Sequence, residues 1–225
     1  MKPGTAQLDH LVVLAATLEE GVQWCKTTLG LTPGPGGKHA LMGTHNRLFS
    51  IASARYPLAY FEIIAIDPDA PAPARARWFD MDDAALAERL RRHGPQLAHF
   101  VARVADARAA VAALQAQGMA RGEVLAASRP TPQGLLQWQI TVRADGQRLF
   151  DGCLPTLIQW GATHPAAVMP ASGITLTALR LNHPQLSALA TAYQTLGLRD
   201  VPLHRGPARL EALLQTSNGV VRICS

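Results

Sequence analysis

The sequence predicts an α+β fold of repeated β-α-β-β-β units. Two of these units pair into a curved mixed-sheet cup with helices outside, and a third unit follows at the C-terminal end. Three observations carry this reading. Strand-like apolar runs open three separate segments: "LDHLVVLA" from residue 8, "LAHFVARV" from residue 97 and "ITLTALRLN" from residue 174. Each run is followed by a segment with helical spacing and then by three more strand-like runs. The first two runs share an oddity, a histidine (His10, His99) in an otherwise apolar strand, which suggests a duplicated design.

In the first unit, residues 1–66, Leu18, Val22, Cys25 and Leu29 mark one helix face. Thr17 offers an N-cap, Glu19 and Glu20 occupy the first turn where the helix dipole favours acids, and Gly30 ends the helix. A glycine-rich turn, "HNRLFSIA" and "AYFEIIAI" supply the remaining strands. Residues 67–94 are a connector, with "DPDAPAPARAR" as a Pro/Ala linker and "DMDDAALAERLRRHG" as a short capped helix. In the second unit, residues 95–161, Asp106 caps, Ala107, Val111 and Leu114 form the helix face, and Gly118 stops it. Its later strands are "GEVLAASR", "LLQWQITVR" and "LPTLIQWG". Residues 1–165 thus form one domain, and "THPAAVMPASG" (163–173) links it to the third unit, 172–225.

In the third unit Pro184 suits a first helical turn, Leu186, Leu189, Tyr193 and Leu196 form the face, and Gly197 ends it. "VPLHRG", "ARLEALLQT" and "GVVRICS" follow as strands. Thr177 stands where His10 stands in the first unit, so no matching site is expected here. The leucines of "LTALRLN" and "ARLEALLQT" require cover. The cover is either the outside of the cup or the same unit of a second chain; the second option, a homodimer, is the expectation, because two-fold interfaces are the commonest.

The composition bounds the function. A 48% hydrophobic fraction over 225 residues suits a globular protein, and no apolar run approaches the roughly 20 residues of a membrane helix. Met1-Lys2-Pro3-Gly4 leads into a strand pattern without a signal-peptide core. Three distant cysteines suit reduced thiols in a cytoplasm. The net charge of +5 is dispersed arginine with few aromatics. That speaks against nucleic acid and for a mild preference for anionic small molecules. Neither a GxGxxG nor a GKS/T motif is present, so no nucleotide cofactor is expected.

"LDHLVV", "GGKHALMGTHNRL", "YFEIIAIDP", "RWFDMDD", "LAHFVAR", "SRPTPQGLLQWQI" and "LPTLIQWG" together resemble the vicinal oxygen chelate superfamily, which includes glyoxalase I, extradiol dioxygenases and fosfomycin-resistance proteins. More closely, they are similar to its bacterial glyoxalase-like-domain proteins. The resemblance covers roughly residues 8–165. It implies a lyase or dioxygenase acting on a substrate with adjacent oxygens. It also implies metal ligands at His10, Glu62 and His99, the fourth falling in "LPTLIQWG", which has no acid and offers Gln159 as the nearest substitute.

Two imidazoles and a carboxylate suit Fe, Mn, Ni or Zn with open positions. Equally, His10 and His99 can be hydrogen-bonded, metal-free histidines lining the cup. Glu62 and His45 are the candidate catalytic groups, Glu62 as a base. His39, Thr44, His45 and Asn46 form either a ligand-binding loop at the cup mouth or a plain β-turn, with Gly36, Gly37 and Gly43 allowing close backbone approach. Arg129, Trp138 and Gln159 complete the substrate-binding candidates, Arg129 for an anionic group; strand tryptophans are otherwise core. Cys25 and Cys153 lack a paired base. His93, His164, His183 and His204 read as surface residues. The alternative to an enzyme is a non-catalytic protein that binds or sequesters a small ligand on the same fold.

Overall fold

The computed structural model describes residues 5–132 and 134–225. Met1–Gly4, on which the leader reading rests, and Gln133 of "SRPTPQGLLQWQI" lie outside the described residues.

The first unit comprises β1 (Gln7–Leu14), α1 (Leu18–Leu29), β2 (Lys38–His39), β3 (Thr44–Ser50) and β4 (Tyr60–Ile66). The connector holds α2 (Ala84–His93). The second unit comprises β5 (Gln96–Arg103), α3 (Ala107–Gln115), β6 (Glu123–Thr131), β7 (Gly134–Val142) and β8 (Thr156–Trp160). β9 (Thr175–Asn182), α4 (Leu186–Leu196), β10 (Leu203–His204), β11 (Arg209–Thr216) and β12 (Gly219–Cys224) form the third. Four caps are those the sequence predicts, whereas α3 ends at Ala116 before Gly118, and α4 starts after Gln185 and leaves Pro184 outside its first turn. Thr17 accepts from the Glu20 amide, Asp106 accepts from the Ala109 amide, and Gly30 and Gly197 take left-handed φ values of 72° and 67°.

Strands β1–β8 make one curved sheet in the order β2-β3-β4-β1-β5-β8-β7-β6. The order is mirrored about the antiparallel β1–β5 pair, with β1 parallel to β4 and β5 parallel to β8. Val12 pairs with both Glu62 and His99, and Val101 with both Thr156 and His10. This register relates His10 to His99, and it sets Thr156 where Glu62 stands in the first unit.

On the concave face Val12, Leu14, Ile64, Val101, Ile140 and Ile158 form one apolar cluster. Here the connector departs from the linker expectation. Trp78, Phe79, Met81, Leu86 and Leu90 join that cluster and fill much of the cup. Phe79 and Asp80 both take φ of 60°, and the Arg148 guanidinium holds the Asp80 carboxylate at 2.6 Å. A left-handed backbone costs about 1–2 kcal/mol per residue, which the burial of Trp78 and Phe79 offsets.

On the convex face the third unit packs within the chain. Leu176, Leu179, Leu181, Leu210, Ala212 and Leu214 are fully buried in one core with Leu11, Phe61 and Phe100. The Ala6 amide donates to Leu196, the Leu176 amide to Ile51 and the Tyr193 hydroxyl to Cys153. Of the two covers the sequence left open for this apolar face, the outside of the cup supplies it, so the face does not call for a second chain. Among the described residues no helix is long and apolar enough to cross a membrane.

Candidate active site

The site grows from an irregularity in β1. Leu8 pairs with Ala102 and His10 with Val101, so Asp9 is an extra residue, a β-bulge that turns its carboxylate to the side of His10. Asp9 is fully buried. Its Oδ1 lies 2.6 Å from His10 Nδ1, and its Oδ2 accepts from Trp160 Nε1 and His164 Nε2, both at 2.9 Å. His10 Nε2 faces Glu62 Oε2 at 3.5 Å, and Tyr60 stacks on the imidazole at 4.4 Å. Asn46 donates to Glu62 Oε1 at 2.6 Å and lies 3.3 Å from His39 Nε2, while His39 Nδ1 meets the Thr44 hydroxyl at 3.0 Å. Thr44 and Asn46 therefore orient His39 and Glu62.

These contacts set the protonation states. Burial would raise the Asp9 carboxyl, but hydrogen bonds from His10 and His164 outweigh it and hold it well below its ordinary value. Burial opposes the charge on His10, yet Asp9 and Glu62 lift its pKa to about 9. Burial likewise opposes the charge on Glu62, and His10 outweighs it, leaving Glu62 lowered. Burial holds His39 neutral, down to about 4. The neutral-pH state is thus an imidazolium between two carboxylates. Burial pushes Cys25 and Cys153 up to about 12, so neither is a ready nucleophile.

Asp9→Asn is expected to destabilise the fold by about 3–5 kcal/mol, the cost of breaking a buried ion pair by removing one partner. The pH dependence follows from the same shifts. The stabilisation by Asp9, whose pKa is lowered, is present above its ordinary 3.8 and lost as pH falls. That by His10, whose pKa is raised, is full below 6.5 and lost as pH rises through about 9. Thermal melts from about pH 2 to about pH 10 check this; a wild-type alkaline decline that persists unchanged in Asp9→Asn would contradict it.

His99 sits differently. Its Nε2 accepts from the Thr156 amide at 3.0 Å, its Nδ1 meets the Gly152 carbonyl at 3.0 Å, and the Phe79 ring lies over it at 5.2 Å. Burial and the nearby Arg121 and Arg148 keep it neutral. Both ring nitrogens are thus committed to the protein, and Thr156 stands where a second acid would be. Among the described residues no three His, Cys, Asp or Glu side chains could hold a metal ion together. The expected ligand set of His10, Glu62 and His99 is not assembled, and these residues do not fit a divalent metal.

Of the remaining candidates, Arg129, Trp138 and His39 line the cavity beside His10 and Glu62. Gln159 does not; its Oε1 accepts from the Ala107 amide and caps α3 on the convex side. His45 pairs with Ala65, whose side chain lies in the convex core, so strand alternation turns it away from the cup. Sequence reasoning missed Asp9 as a site residue, with Tyr60, Trp78 and Phe79. It placed His164 and His183 on the surface, yet His164 is tied to Asp9 and His183 is buried. The signal available was the Asp-His pair in "LDHLVV", which strict alternation would have split between two faces.

Gly36 and Gly37 serve close approach. A Cβ on Gly36 would stand 2.0 Å from the Asn46 carbonyl oxygen, and one on Gly37 would stand 1.8 Å from Arg129 Nη1. Gly36→Ala is expected to cost about 3 kcal/mol, the upper end for overpacking against backbone. Gly37→Ala, meeting only the end of a flexible side chain, is expected to melt near wild type while displacing Arg129; equal losses in the two melts would refute this.

The cavity at His10 is small, about 40 Å³. It adjoins a groove of about 430 Å³, and Leu48, Arg129, Leu136 and Pro165 line both.

Two paired β-α-β-β-β units closing a half-barrel, with acid–base side chains on the concave face, define a vicinal oxygen chelate protein, a class of small-molecule enzymes. The glyoxalase-like domain model matches residues 8–197, and the chain belongs to that family. The match runs past the 163–173 linker into β9 and α4. A hypothetical protein from Staphylococcus aureus is similar in structure, with a TM-score of 0.58 and 14% identity over 90% of this chain and 87% of that one. Methylmalonyl-CoA epimerase of Streptomyces coelicolor, in complex with 2-nitronate-propionyl-CoA, aligns with a TM-score of 0.43 and 17% identity over 72% of this chain and 98% of that one. The Mycobacterium tuberculosis methylmalonyl-CoA epimerase aligns at 0.39 and 18% over 72% and 91%. No curated protein matches the chain. Members of the superfamily often use divalent metals.

Proposed function

We propose that the protein moves a proton at a carbon next to a carbonyl or carboxylate group of a small anionic molecule, without a metal. The observation that carries this is Glu62 and His10, 3.5 Å apart, facing a cavity that Arg129 also lines. Glu62 Oε2 takes the proton from the carbon, leaving an enolate. Arg129 holds the substrate's anionic group. His10, an imidazolium held by Asp9, supplies a proton to the enolate and is reprotonated from Glu62 or water. The low pKa of Glu62 makes it a weak base, so catalysis depends on His10 and Arg129 stabilising the enolate charge. This step shares proton abstraction to an enolate with the lyase class implied by the resemblance but breaks only a C–H bond, whereas dioxygen chemistry would need the ligand set that is not assembled.

The second reading is a non-catalytic binding protein. It is favoured by one observation: both Glu62 oxygens already face protein partners. One experiment decides between them. Short 2-oxo and 2-methyl carboxylates are incubated with the protein in D₂O, with and without a chelator, and loss of the C3 proton signal of the former and the C2 proton signal of the latter, against a protein-free control, is followed by NMR. Exchange undiminished by chelator is expected. Binding with no exchange favours the second reading, and exchange abolished by chelator overturns the metal-free mechanism.

A further inference from the structure

The groove beside the cup has a chemistry of its own. Its walls are mostly apolar, with Leu31, Phe49, Leu135, Leu136, Val168 and Met169 the large side chains and Thr32, Thr131, Thr163 and Ser172 among the smaller ones. Arg129 is the one charged side chain among the described residues that line it. Leu135 and Val168 are 60% and 51% exposed, so the walls leave large apolar groups in water. At about 430 Å³ the groove lies within the range of small-molecule sites, whereas the cavity at His10 admits only a few atoms. No described carboxylate lies within ion-pair distance of Arg129, which stands where the two spaces meet, with room made for it by Gly37.

The geometry points to a straight-chain monocarboxylic acid of medium length as the ligand, its carboxylate on Arg129 and its hydrocarbon chain in the groove. An apolar trough ending in a single half-buried cation complements a molecule that is apolar along its length and anionic at one end. A second charge would find no charged side chain along the trough among the described residues. The inference rests on the small-molecule reading of the cup and deepens it. With the carboxylate at the joint, the adjacent carbon is the part of the ligand nearest the cavity that Glu62 and His10 line.

The test is titration calorimetry of the full chain with saturated acids from butyrate to dodecanoate, alongside the matching primary alcohols. Affinity for the acids is expected to rise about fourfold per added methylene until the groove is filled. Each acid is expected to bind at least about tenfold more tightly than its alcohol, as a charge-assisted hydrogen bond predicts. Arg129→Met should abolish the acid–alcohol difference and keep the chain-length slope. Val168→Asp, at an exposed position, should flatten the slope and keep butyrate binding. A slope of zero in the wild type, or an acid preference unchanged in Arg129→Met, overturns the inference. Sedimentation with phosphatidylcholine–phosphatidylglycerol vesicles separates free acid from lipid: the protein is expected to stay in the supernatant, and pelleting without binding of free acids overturns it. Because binding is read as heat, these results are independent of proton exchange on short acids.

Discussion

Replacing Glu62 by glutamine is expected to lower α-proton exchange by about 10²–10⁴-fold, the usual contribution of a positioned acid–base group. The substitution keeps volume and shape, and the Asn46 amide that donates to Oε1 at 2.6 Å can still donate to a glutamine oxygen. What is lost is the proton acceptor and one of the two carboxylates that lift His10 to about 9. The histidine is therefore expected to titrate lower in Glu62→Gln, and NMR of the imidazole protons reports this apart from any turnover. A variant that shows the lowered histidine pKa yet exchanges at the wild-type rate would remove Glu62 from the mechanism. Ligand affinity measured in parallel separates loss of chemistry from loss of the fold.

The regular parts of this chain were legible because they rest on periodicity and caps. Thr17, Asp106, Gly30 and Gly197 mark helix ends by local chemistry, and the structure uses each in that way. The site was less legible because it depends on strand parity. The bulge at Asp9 puts two consecutive residues at one site, whereas intact alternation puts His45 and Gln159 on the convex side. A one-residue irregularity reverses such assignments and leaves no mark in composition. The connector misled for another reason. Its Pro/Ala stretch signals a loop, but Trp78, Phe79 and Met81 just beyond it carry the apolar area that closes the cup over His99.

The duplication explains why two histidines look alike in sequence and differ in role. They occupy related positions on β1 and β5, but the neighbours have diverged. Asp9 and Glu62 flank His10, while Thr156 and the Gly152 carbonyl flank His99. Carboxylates favour the imidazolium, and a hydroxyl and carbonyl in a buried apolar setting favour the neutral ring. One half of the sheet thereby holds an imidazolium between two carboxylates, and the other half a closed, neutral histidine beside the buried Arg121, which donates to Pro155 at 2.7 Å.

Ending the chain at Val168 is expected to abolish folding of the remainder. Five third-unit leucines, Leu176, Leu179, Leu181, Leu210 and Leu214, are fully buried in the core that the convex face of the large sheet shares. Their removal exposes the apolar convex face they cover, at about 25 cal/mol per Å² of apolar area, in a domain whose total stability is typically about 5–15 kcal/mol. The cut also leaves Phe61 and Phe100 in a core stripped of those partners. It unpairs the amides of Ala6 and Leu8 and the Tyr56 hydroxyl, whose partners are Leu196 and Asp200. The 1–168 chain should show no cooperative thermal transition by circular dichroism, whereas the full chain should. A soluble 1–168 chain with a sharp melt and intact α-proton exchange would mean that the third unit is an accessory, and that the convex face tolerates water far better than its apolar area allows.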